Sequence, residues 1–176
     1  MTFRTLRAWL GVDERPEPEH ASLRELIDTL DHMDPDRARY LARFAYVLGR
    51  IAHADRHVSP EETRVMEAIV AKEGELTADQ AAVVVALAKS SNMLFGGTAD
   101  YIVTQEFAEL ASYAQKLALA RCLFAVASID HAISVAEEAE IHQVVNHLKV
   151  LPHDLTTLRV QHNAFLPGLS GRSGEP

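Results

Sequence analysis

Ile129-Asp130-His131-Ala132-Ile133-Ser134-Val135-Ala136-Glu137 repeats an earlier stretch, Ala54-Asp55-Arg56-His57-Val58-Ser59-Pro60-Glu61-Glu62. Asp55, Val58, Ser59 and Glu62 map onto Asp130, Ile133, Ser134 and Glu137 with a constant offset of 75 residues (55 to 130, 62 to 137). Each copy follows an apolar run of helical character, Arg43–Ala54 and Leu117–Ile129. Each then opens a further helix through a capping box, in which a Ser side chain and a Glu three residues later satisfy each other's backbone N–H groups. Two helix–loop–helix units with the same polar residues predict a duplicated helical fold.

Working outward, apolar residues recur at helical spacing along the chain. Leu23, Leu26, Ile27 and Leu30 predict a helix over Ser22–His32. Asp34-Pro35 starts the next, with Pro at the first helical position. Its residues Leu41, Phe44, Ala45, Val47, Leu48 and Ile51 are apolar nearly all round, as in a central helix. Ser59-Pro60-Glu61-Glu62 opens a third helix that stops at Gly74, and Thr77-Ala78-Asp79-Gln80 opens a fourth through Val83–Ala88. Gly96-Gly97 breaks the chain at its midpoint, and Thr98-Ala99-Asp100 predicts a short helix. A longer one spans Ser112–Ile129. Ser134 leads a helix through Ile141, Val144, Val145 and Leu148, which Pro152 is expected to end, with Asp154 capping a last helix to about Phe165.

No strand-like alternation appears, so the expected fold is all-α, with seven to nine helices. Two repeats, about 36–92 and 112–165, would be related by a pseudo-twofold axis around the two apolar helices. One domain over 22–166 follows, preceded by a segment and proline-broken linker (1–21) and followed by a Gly/Ser-rich tail (167–176) expected to be disordered. At this length and 48% hydrophobic content, roughly 70% of the chain's surface can be buried without a staple. The single Cys122 sits in an apolar run and reads as a buried structural thiol.

A net charge of −8 and a pI near 5.5 argue against nucleic acid, which needs clustered Lys and Arg. No apolar run reaches the roughly 18 residues of a membrane span, and no secretory signal is evident. A cytoplasmic location is expected, with the option of the inner membrane face. Phe3, Leu6, Trp9 and Leu10, flanked by Arg4 and Arg7, give residues 1–11 a small apolar face for weak membrane contact or for packing on protein. Oligomeric state leaves no signature.

Carboxylates brought together raise each other's pKa unless a cation or hydrogen bonds compensate. Asp55 ends one helix and Glu62 begins the next, and the short turn between them can aim both at one volume; Asp130 and Glu137 repeat the arrangement. The four could face each other or form two pairs. Such oxygens suit Ca²⁺, Mg²⁺ or Mn²⁺, while His53, His57 and His131 nearby would favour Zn²⁺. Against this stands a purely architectural reading: the glutamates cap helices and the aspartates form turns. Capping does not require an Asp seven residues before each Glu, twice.

Neither loop fits an EF-hand; a di-iron site needs Glu-x-x-His on two helices, and the one such spacing, Glu17 to His20, lies in the proline-rich linker, while no His-Glu-x-x-His is present. Ser90-Ser91 and Ser112 lack a nucleophile-elbow setting, and no Gly-rich phosphate loop or organic-cofactor motif exists. Glu138 and His142 share a helix face and read as a solvated surface pair. His142 and His147, five apart, do not share one. Met66 and Met93 read as core.

At these loops the chain resembles the tellurite-resistance TerB family and the related domain of some J-domain cochaperones. The signature is an apolar helix ending in Ala-Asp-Gly, then an apolar residue and a Glu that starts the next helix. The resemblance covers roughly Asp36–Val150. It implies an all-helical domain of two similar halves, a divalent cation at the acidic loops, a role in oxyanion and other stress responses, and membrane-linked protein partners. The usual Gly is Arg56 in copy one and His131 in copy two, and Ile129 replaces the Ala before Asp130. A side chain at the Gly position is expected to alter the loop dihedrals and obstruct a cation. The expectation is therefore a non-enzymatic metal-responsive module, with a metal-dependent hydrolase or a metal-free helical adaptor as alternatives.

Overall fold

Asp34 sets the entry to the first core helix. Its Oδ1 accepts hydrogen bonds from the backbone N–H of Asp36 (3.1 Å) and Arg37 (3.0 Å), and Pro35 at the first helical position has no N–H to satisfy. The computed structural model describes residues 28–51, 59–91, 98–129 and 131–166. Among them are seven α-helices, one 3₁₀ turn and no strand. The helices are α1 (Pro35–Gly49), α2 (Pro60–Glu73), α3 (Ala78–Ser91), α4 (Thr98–Leu110), α5 (Tyr113–Ala127), α6 (Val135–Leu148) and α7 (Pro152–Gln161), with the 3₁₀ turn at Asn163–Phe165. A helical turn at 28–31 precedes them. The expected all-α fold is what forms. The segment and linker at 1–21, most of the Ser22–His32 helix, Gly96-Gly97, Met93 and the tail lie outside the described residues.

α1 and α5 are the core helices. Leu41, Phe44, Val47 and Leu48 of α1 and Leu119, Leu123 and Phe124 of α5 are fully buried. α1 packs against α3, α4 and α5, and α5 against α1, α2, α6 and α7. Gly49 permits the close approach of α1 to α3, because a Cβ there would stand 2.9 Å from the Ala88 carbonyl oxygen. Phe44, Tyr40 and Phe107 join α1 to α4 as an aromatic cluster with ring centroids 5.7–6.3 Å apart. Cys122 is buried within α5, and burial pushes its thiol far above the ordinary range. It is a packed, inert thiol, as its apolar setting predicts.

The two helices that follow the acidic loops start alike. α2 and α6 each hold 14 residues and keep the 75-residue offset at both ends (60 to 135, 73 to 148). Their packing is not the same: α2 lies on α3 and α5, whereas α6 lies on α4 and α5.

Three expectations change. Thr98–Asp100 opens a 13-residue helix, not a short one, because Val103, Thr104, Phe107 and Ala108 form a buried stripe at helical spacing. Pro152 begins the last helix as its first residue. Asp154 is not its cap; it accepts a hydrogen bond from the Tyr113 hydroxyl, while Leu151 holds the N-cap position with no side-chain bond. Glu138 is no solvated partner of His142. Its side chain is only 18% exposed and pairs with Arg159 of α7.

Candidate functional site

The serines at the two acidic loops hold both candidate glutamates. Ser59 and Ser134 are extended N-caps, with φ/ψ of −65/163 and −69/160. Their hydroxyls accept from the backbone N–H of Glu62 (3.2 Å) and Glu137 (3.1 Å). In return Glu62 Oε2 accepts from Ser59 N–H at 2.6 Å, and Glu137 Oε2 from Ser134 N–H at 2.7 Å. Both boxes are therefore complete. Each carboxylate engages through Oε2 only; no hydrogen bond to Oε1 exists among the described residues. Thr63 extends the first box, donating to the Ser59 carbonyl and accepting from Lys89 Nζ (2.8 Å each).

The Ser59 hydrogen bonds, the backbone one foremost, hold the Glu62 carboxyl below its ordinary value of 4.5. A group whose folded pKa lies below its unfolded one stabilises the fold above the unfolded value, and that stability is lost as pH falls through the folded pKa. Glu62→Gln should therefore flatten the acid limb of stability against pH. Urea midpoints measured between roughly pH 2 and 5 check this.

The second loop shows what a residue in the place of glycine does. His131 adopts φ 60°, the left-handed conformation, so the loop keeps a glycine-like path and the side chain does not redirect it. Three bonds fix this path: His131 N–H donates to the Ser128 carbonyl (3.1 Å), Ser128 Oγ to the Phe124 carbonyl (2.7 Å), and Ile133 N–H to the Phe165 carbonyl (2.7 Å). Ile133 is buried, and the His131 ring lies 6.2 Å from that of Phe165. A left-handed residue with a Cβ costs about 1–2 kcal/mol. Set against the lost ring contact, His131→Gly should stabilise the protein by about 1 kcal/mol, raising Tm by about 2–4 °C, as a thermal melt would read.

Glu62 and Glu137 stand in the first turns of helices that share α5 as a neighbour. Among the described residues no three His, Cys, Asp or Glu side chains converge as metal ligands. Asp55, His53, His57 and Arg56 of the first loop and Asp130 of the second lie outside the described residues. The structure thus places one glutamate of each pair, capped and with one free oxygen. Sequence reasoning passed over a further box, Ser112 with Gln115 (2.8 and 3.3 Å), whose signal is the Gln version of the same motif. No helix among the described residues is long and apolar enough to cross a membrane.

No curated protein and no solved structure matches the chain. The family model described as tellurite resistance protein TerB matches residues 41–160, from the middle of α1 through both capping boxes to the last helix, and the chain belongs to the TerB family.

Proposed function

We propose that this TerB-family chain is a non-enzymatic module that binds a divalent cation at each acidic loop and presents the resulting helix arrangement to a protein partner in a stress response of the tellurite or oxyanion type. The observation that supports it is the half-used carboxylate. Glu62 and Glu137 are anchored through Oε2 on the Ser59 and Ser134 backbones, which leaves Oε1 of each available at a loop that also carries an aspartate. A hard cation takes oxygen ligands of this kind, completed by loop carbonyls and water. Asp55 with Glu62, and Asp130 with Glu137, would hold it as two separate sites, since α2 and α6 pack on different faces of the core. The bound charge would offset repulsion within each pair and fix the angle between the joined helices. The peripheral membrane location remains part of this proposal through partner contact.

Calorimetric titration of the EDTA-stripped chain with Ca²⁺, Mg²⁺, Mn²⁺ and Zn²⁺ tests it. At least one cation should bind with two ions per chain, one lost in each of Asp55→Asn and Asp130→Asn and both in the double variant. No binding, or binding that survives the double variant, would leave a metal-free adaptor. Turnover abolished by chelation would instead favour the hydrolase.

A further inference from the structure

A cavity of about 400 Å³ opens between α1 and the junction of α4 with α5, within the range of small-molecule sites. Its walls include Arg37, Arg39 and Arg43 of α1. In a chain of net charge −8, three guanidiniums from one helix lining a single cavity are a local reversal of sign. Arg43 is committed to Glu106, at 3.1 Å through Nε and 3.0 Å through Nη2. Arg39 has only a surface pair with Asp36 at 3.4 Å, and such pairs contribute little. Arg37 has no carboxylate partner among the described residues. Its Nη2 donates to the Gln80 side-chain oxygen at 2.6 Å, and its guanidinium stands 5.2 Å from the centroid of the Tyr40 ring. Against Asp36 and Glu106 the three guanidiniums leave a surplus of one positive charge, and no anion among the described residues occupies the Arg37 donors.

The remainder of the lining is mixed: Asp36 and Gln115 are polar, and Tyr40, Phe107, Leu110 and Ala111 supply the apolar part. The aromatic wall is chiefly the Tyr40 ring, backed by the nearly buried Phe107 at a centroid distance of 5.7 Å and an interplanar angle of 29°, and Leu110, 68% exposed, stands at the rim. Burial pushes the Tyr40 phenol up to about 12, against the lowering influence of Arg37, so the hydroxyl stays protonated at neutral pH. It has no hydrogen-bond partner among the described residues. A cationic edge, a neutral hydroxyl donor and an aromatic wall in one cavity match a molecule with an anionic head and a compact apolar body.

The geometry points to this cavity as a binding site for a small organic anion, a phosphate monoester or carboxylate on an aromatic or aliphatic group. Arg37 and Arg39 hold the charged head, and Tyr40, Phe107 and Leu110 hold the body. The site shares no residue with the acidic loops and does not depend on a cation.

The test is calorimetric titration of the full chain with 1-naphthyl phosphate, alongside Arg37→Gln, Leu110→Asp and Asp55→Asn/Asp130→Asn, each confirmed as folded by circular dichroism. Saturable one-site binding is expected for the wild type. Arg37→Gln should weaken it by about tenfold, the worth of one charge-assisted hydrogen bond, and Leu110→Asp, which turns the apolar rim acidic, by at least as much. The acidic-loop variant should bind as the wild type does. Inorganic phosphate alone should bind at least about tenfold more weakly, lacking the body that the aromatic wall covers. No saturable binding, equal binding by both cavity variants, equal binding of inorganic phosphate, or loss in the acidic-loop variant would each overturn the assignment.

Discussion

Phe44→Ala should destabilise the protein by about 3–5 kcal/mol and lower Tm by about 6–20 °C. Phe44 has no exposed surface. It sits edge-on to Tyr40 at 5.8 Å and to Phe107 at 6.3 Å, and its ring tip reaches to 3.3 Å from where a Cβ on Gly74 would stand. One ring thus joins α1, α4 and the end of α2. The rigid helix ends around it cannot close the gap, so the loss combines transfer free energy with a cavity and with two aromatic contacts. The conservative change Phe44→Leu should recover most of this, because it retains most of the volume. Urea denaturation of both variants reads the difference as a shift in midpoint at constant slope.

Glu140→Ala should be the larger of two losses at the ion pair beneath α6, about 3 kcal/mol, with Arg50→Met costing about half as much. Arg50 is the more buried partner, with 8% of its side chain exposed against 32% for Glu140. Its Nε donates to Glu140 Oε1 at 2.7 Å, and its Nη1 to Thr104 Oγ1 at 2.8 Å, where Thr104 is fully buried. Removing Glu140 takes a carboxylate away from a cation that water scarcely reaches, which is the costly way to break such a pair. Removing Arg50 leaves a carboxylate that water already reaches. Equal losses in the two variants, measured by urea midpoint, would contradict this asymmetry.

What could be read along the chain was the local chemistry. Ser59 with Glu62, Thr77 with Gln80 and Ser134 with Glu137 are bonds between residues three apart, and each forms where its motif stands. The all-round apolarity of α1 likewise predicted its central place. What escaped depends on partners far away in the sequence. Thr104 looks like a surface residue of α4 until Arg50 arrives from α1 to take its hydroxyl, and that concealed most of the helix. Asp154 looks like an N-cap, but Pro152 starts the helix ahead of it and Tyr113 takes its carboxylate. Glu138 looks solvated until Arg159 folds over it. The cavity between α1 and α4 has no local signature, because its walls meet only when Phe107 stacks on Tyr40. At the acidic loops the pattern was plain and the glutamate half of the geometry follows from it. Glycine-like φ at His131 did not, since only the closed loop with its bonds to Ser128 and Phe165 imposes it.

We propose that the duplicated acidic loops are cation sites as well as caps. Thermal melting of the EDTA-stripped chain with and without cation, beside Asp55→Asn/Asp130→Asn, tests it most directly. A cation present at ~100 times its dissociation constant stabilises the native state by about 2.7 kcal/mol per site. With both sites filled the wild type should therefore rise by about 10–20 °C, while the double variant should not move. A wild type whose Tm ignores all four cations, or a double variant that shifts as far as the wild type, would contradict the claim and reduce Glu62 and Glu137 to helix caps.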